Sequence, residues 1–216
     1  MKDTGMIAAK IQLAIQHEDR HHSVHAALLQ HARDIGGAMT DDDARFLIDQ
    51  TKAVLSIVPN TLSAAGAAAK GAGYERVVAE LTKRLVAYWA EANDVVPDHL
   101  GMIGVLDDAY CTLAALDRMS KACAARTGRS LVDGDLGETL KFLHWLLGDA
   151  IIARLNALVE ADMRTNPWLD LINNLAAQLG QMPQMPVANP VWGTMSTGQI
   201  VDHQVNLMRP PPPSWR

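Results

Sequence analysis

Apolar residues recur every three or four positions along most of this chain, the spacing that gathers them on one face of an α-helix. The pattern is cleanest from Tyr74 to Ala92. There Tyr74, Val77, Val78, Leu81, Leu85, Tyr88 and Trp89 form one stripe, and Glu75, Arg76, Glu80, Lys83 and Arg84 take the other side. A second stripe runs through Val105 to Ala125. Leu106, Ala109, Leu113, Leu116, Met119 and Cys123 point inward; Thr112, Asp117, Arg118 and Lys121 are expected to face water. Two amphipathic helices joined by so short a connection are predicted to pack antiparallel.

The rest of the chain fits the same scheme. Ile7, Ile11, Ala14, Leu28, Ala32 and Ile35 predict one long helix ending at Gly36-Gly37. Thr40 followed by Asp41, Asp42 and Asp43 reads as the capped start of the next helix, with acidic groups at the positive end of its dipole. An acidic metal cluster is the alternative there. Phe46, Leu47, Val54 and Leu55 continue that helix until Pro59 closes it, and the alanine- and glycine-rich stretch from Asn60 to Gly73 reads as a tight-packing or flexible connector, with room for a short helix from Thr61. Gly66 to Gly71 has a lysine among glycines but lacks the Gly-Lys-Ser/Thr order of a phosphate loop. Leu136, Leu140, Leu143, Leu147, Ile151, Leu155 and Leu158 predict one helix from Asp135 to Arg164, with Gly148 as a kink. Pro167 opens a last helix from Trp168 to Leu179. Beyond Gln181 prolines and methionines dominate, and Trp192 and Trp215 stand out as anchors of an interaction tail.

The fold class expected is therefore all-α: a multi-helix bundle around a central antiparallel hairpin, with an extended Pro-rich C-terminal tail. Its expected segments are a His-rich helix at 1–37, a bundle at 38–180 with the hairpin at 77–125, and the tail at 181–216. Aromatic residues at only 5% and abundant alanine and leucine agree with this. A net charge of −5 without a basic block argues against nucleic acid as a partner. Cys111 and Cys123, on one helix, would stand about 18 Å apart, beyond the roughly 7 Å a disulfide spans. They read as core thiols of a reducing compartment. No basic-then-apolar leader opens the chain, and the most apolar window, Phe142 to Val159, is interrupted by His144, Asp149 and Arg154. No transmembrane segment and a cytoplasmic location are expected.

Two clusters carry candidate chemistry. On the first predicted helix His17, His21 and His25 follow four-residue spacing, so neighbouring pairs share a face. Imidazoles so placed hold a transition metal; the alternative is a polar seam against another helix or subunit. The second cluster is the loop between the paired helices: Asp94, Asp98, His99, Asp107 and Asp108, with Pro97, Gly101 and Gly104. Its carboxylates read first as caps and turn formers. The sharper alternative is a site for Mg²⁺, Mn²⁺ or Ca²⁺, or a general acid/base pair.

Val95 to Tyr110 resembles the core of the YkvA-like family of bacterial helical domains, whose pattern runs approximately Asp-x-Ile-Pro-Asp-x-Ile-Pro-x-x-Gly-x-Leu-Asp-Asp. Asp94, Pro97, Asp98, Gly104, Leu106, Asp107 and Asp108 match it; Gly101 replaces the second proline and Val96 the first isoleucine. The resemblance covers about residues 77–119 and implies a helical hairpin module, often membrane-associated, with no established catalysis. No complete Ser-His-Asp or activated-cysteine set can be assembled. The leading expectation is a non-enzymatic interaction or regulatory protein, self-associating or bound to a protein partner, with no cofactor. A metal-binding protein or metal-dependent hydrolase is the alternative. A peripheral membrane or toxin/immunity-type protein comes third.

Overall fold

One helix, Leu106–Thr127, packs against four others in the computed structural model, which describes residues 4–34, 37–72, 75–90, 95–97, 100–128 and 130–165. In chain order the helices are α1 (Thr4–His21), α2 (Ser23–Asp34), α3 (Asp41–Ala72), α4 (Glu75–Ala90), α5 (Leu106–Thr127), α6 (Gly137–Leu147) and α7 (Asp149–Thr165). A 3₁₀ turn, Ile103–Val105, leads into α5. No strand occurs among the described residues, and the fold is an all-α bundle. None of these helices is long and apolar enough to cross a membrane.

α4 and α5 form the expected antiparallel hairpin, and α5 packs also on α3, α6 and α7. Every residue from Gly104 to Leu116 is buried, so α5 has no solvent face over its first three turns. Thr112, expected outside, is fully buried for this reason. Its hydroxyl accepts the Trp89 indole N–H at 2.9 Å, which satisfies two polar groups in the core.

The predicted first helix is two helices. His22 takes φ 51°, a left-handed conformation that is strained for most residues but tolerated by histidine. The break is stabilised by Glu18, only 1% exposed. Its carboxylate accepts hydrogen bonds from Ser23 Oγ (2.9 Å), Val24 N (2.8 Å) and His25 N (3.1 Å). A carboxylate on the last turn of α1 thus caps the amides that open α2. The bend lets Val24 and Ala32 reach buried positions, while Ile7, Ile11 and Ala14 join the core from α1.

α3, by contrast, is longer than expected. It runs through Pro59 to Ala72, and the predicted connector is helix. Val54, Leu55, Val58, Leu62, Ala65 and Ala69 all have 0% exposure and hold one stripe across the proline. Burying those groups offsets the roughly 3 kcal/mol that an interior proline costs. The small side chains of Ala65 and Ala69 also suit the close packing of α3 on α4. Thr40 and Asp43 form a reciprocal cap at the start: Thr40 N donates to Asp43 Oδ2 at 2.9 Å, and Asp43 N to Thr40 Oγ1 at 3.2 Å.

The predicted helix from Asp135 to Arg164 is divided into α6 and α7 at Gly148. Its φ of 78° and ψ of 160° are open essentially to glycine alone. Phe46 and Leu158, assigned to apolar stripes, are 42% and 46% exposed. The predicted last helix, the Pro-rich tail, Trp192 and Trp215 lie outside the described residues.

Candidate functional site

The corner before α5 is held from inside by its own carboxylates. Asp107 and Asp108 occupy the first turn of α5 and are completely buried. Asp107 Oδ2 accepts the Val96 N–H at 2.9 Å and its Oδ1 the Asp108 N–H at 3.0 Å, which ties the incoming loop to the helix start. Asp108 Oδ2 receives Lys10 Nζ at 2.9 Å. The same ammonium donates to the Trp89 carbonyl at 2.8 Å and lies 5.6 Å from the Trp89 ring centroid. One cation therefore bridges the carbonyl end of α4 and the amide end of α5, the two poles where a positive and a negative group are each favoured. Lys10 was not singled out from the sequence. The available signal was its position beside Ile11 and three residues after Ile7, on the edge of an apolar stripe.

Next to this knot lies a thiol–phenol pair. Cys111 Sγ is 3.8 Å from Tyr88 Oη. Burial pushes the thiol up to about 12; the charges of Asp107 and Asp108 add to that, while the Tyr88 hydrogen bond and Arg118 oppose it. The Tyr88 phenol is likewise raised above its ordinary value by burial. At neutral pH both stay protonated, and Cys111 has none of the thiolate character that a nucleophile requires.

On the outer side of the corner, Gly101 has φ 67° and lies against α1. A Cβ there would stand 2.4 Å from His17 Nδ1. Two hydrogen bonds shape the turn: Leu100 N to the Pro97 carbonyl at 3.0 Å and Gly104 N to the Gly101 carbonyl at 3.1 Å. The histidine helix and the corner, separate candidates in the sequence, thus meet at His17 and Gly101. His17 and His21 remain together, with ring centroids 4.4 Å apart. His25 does not join them, because the break at His22 carries it onto α2. There its Nε2 stands 3.7 Å from Asp41 Oδ1.

Under the α1–α2 bend is a cleft of about 450 Å³, walled by Asp19, His22 and His25 on one side and by Arg45, Asp49 and Lys52 of α3 on the other. Lys52 pairs with Asp19 across it at 2.6 Å, so its charges are partly matched internally. Among the described residues no three His, Cys, Asp or Glu side chains are grouped to hold a metal ion. Asp94, Asp98 and His99 lie outside the described residues.

No protein-family model, curated protein or solved structure matches this chain.

Proposed function

We propose that this chain is a non-enzymatic helical interaction or regulatory protein, built on a YkvA-like hairpin and acting through contact with a protein partner or a second copy of itself. One observation carries the reading. The acidic groups at the corner that would be available for chemistry, Asp107 and Asp108, are buried and engaged with Val96 N and Lys10. Their chemistry is structural: they neutralise a helix start and fasten three helices. Large apolar side chains meanwhile stand in solvent, with Leu13 at 66% and Trp145 at 46% exposed. Cys111 and Cys123 are buried and form no disulfide, which agrees with a cytoplasmic setting.

The test is self-association of the full chain, followed by sedimentation velocity across the micromolar range. Association that Leu13→Ser or Trp145→Ser weakens, with the melting temperature unchanged, supports the reading. A strictly monomeric chain whose Asp107→Asn variant folds normally but loses a measurable turnover would overturn it.

A further inference from the structure

Among the described residues α7 is covered along one side. Ile152, Leu155 and Val159 are buried there, and the helix lies against α5 and α6. The opposite side carries Ala150, Ala153, Ala157 and Leu158, all exposed, with Arg154 as the charged group among them. These positions recur every three or four residues and form one stripe. Leu158 is 46% exposed, a large apolar group standing on a face of small ones. Side chains as short as alanine let a second helix approach closely.

The chain that continues from α7 has the complementary pattern. Residues 166–179, outside the described residues, read Asn-Pro-Trp-Leu-Asp-Leu-Ile-Asn-Asn-Leu-Ala-Ala-Gln-Leu. At helical spacing Trp168, Leu171, Ile172, Leu175 and Leu179 share one side, and Asp170, Asn173, Asn174 and Gln178 the other. Asn166 suits an N-cap and Pro167 the first helical position. Pro167 also disfavours helical geometry at Asn166, which separates this segment from α7. A helix of this length is marginal in water and is stabilised chiefly by the surface its apolar stripe packs on. So short a connection makes consecutive helices antiparallel neighbours. Running back along α7 for about 18 Å, the segment sets Leu175 opposite Ala157 and Leu158, and Leu179 opposite Ala153. Its one charged side chain, Asp170, lies off the stripe. A second copy would have to reach this face from solution, whereas the tethered segment meets it at the high effective concentration of a very short linker.

We infer that residues 168–179 form a helix docked antiparallel on the exposed face of α7 in the same chain. The contact covers Leu158 and withdraws that face from any partner, which leaves exposed side chains elsewhere, such as Leu13 of α1, to make outside contacts. It is intramolecular and does not depend on the interaction reading above.

The experiment is hydrogen exchange of the full chain, read by mass spectrometry at low and at high micromolar concentration, alongside Leu158→Lys and Ala157→Gln. Both positions are exposed and receive good helix formers. Unchanged protection of α4 and α5 verifies that each variant is folded, and Ala157→Gln, which blocks close approach, decides the matter if Leu158→Lys disturbs α5. In the parent, peptides spanning 168–179 are expected to exchange more slowly than an unstructured chain by on the order of tenfold or more, equally at both concentrations. Each folded variant should bring them to the unstructured rate. The inference is overturned if the segment exchanges at that rate in the parent, if its protection rises with concentration because a second copy covers the face, or if its protection survives in the folded variants.

Discussion

Replacing Glu18 is the sharpest test of how the N-terminal part of the fold is held. Its carboxylate is 1% exposed and receives three hydrogen bonds at 2.8–3.1 Å from the opening residues of α2. Hydrogen bonds to a charged group contribute about 1.5–3 kcal/mol each. Glu18→Gln keeps one acceptor oxygen but turns an amide NH₂ toward a backbone donor, and should cost about 2–4 kcal/mol. Glu18→Ala removes all three partners and leaves two routes. The bend can persist with Val24 N and His25 N uncapped, at about 1–3 kcal/mol for each buried amide. Alternatively the helix can straighten, giving those amides the carbonyls of Arg20 and His21. Straightening draws Val24 out of its 3%-exposed position, at a further cost of about 1.5–3 kcal/mol. Either way the loss is about 3–4 kcal/mol, a fall of roughly 6–15 °C in melting temperature for a chain this long. Urea unfolding followed by circular dichroism measures the loss. Hydrogen exchange at Val24 and His25 separates the routes, since these amides exchange quickly in the first and stay protected in the second. A loss below about 1 kcal/mol for both variants, with those amides still protected, would show that the bend does not depend on this carboxylate.

Three further outcomes follow from the corner. Lys10→Met should destabilise more than Asp108→Asn, about 3–5 kcal/mol, because the Lys10 side chain is 19% exposed and Asp108 0%; urea unfolding of both singles and the double variant should give clearly non-additive losses, and simple additivity would refute the coupling. Gly101→Ala should cost at least about 1–2 kcal/mol for its left-handed backbone alone and displace the His17 ring, read as a lower melting temperature with a shifted His17 imidazole resonance. Native Cys111 should resist iodoacetamide at pH 8 and react once urea unfolds the chain. The sign follows from its raised value: the unfolded thiol ionises near 9 and the folded one near 12, so the thiol's contribution to stability is full below about 9 and falls away as pH climbs toward 12. Alkylation of the native thiol at the unfolded rate would contradict this.

Where the pattern of apolar positions coincides with burial, it foretold the structure well. Val77, Val78, Leu81, Leu85 and Trp89 of α4, and Leu106 through Cys123 of α5, lie where their spacing put them. The misjudged places each involve competition between local preference and packing. Pro59 is a helix breaker locally, yet the stripe from Val54 to Ala69 outweighs it. His22 carries no breaking signal at all; the bend exists because Glu18, four residues earlier, supplies a substitute acceptor for the next amides. Gly148 was legible as a weak point but not as a full break, since only its backbone angles decide that. Thr112 looked exposed because spacing reveals two faces of a helix and cannot tell that a third neighbour covers the second. Asp107 and Asp108 stand in the first turn of α5, where their sequence position put them, but the long-range partner of Asp108 was not legible: nothing near it in the sequence points to Lys10.

That partnership joins residues 98 positions apart. During synthesis at about 5–20 residues per second, Lys10 leaves the ribosome roughly 5–20 s before Asp108 exists to receive it. For that interval α1 can lay Ile7, Ile11 and Ala14 against α3 and α4 as these emerge, but the ion pair that fastens it to the corner is missing. The first helix made is thus among the last to be locked, and a nascent chain stalled short of Asp108 would hold α1 by apolar packing alone.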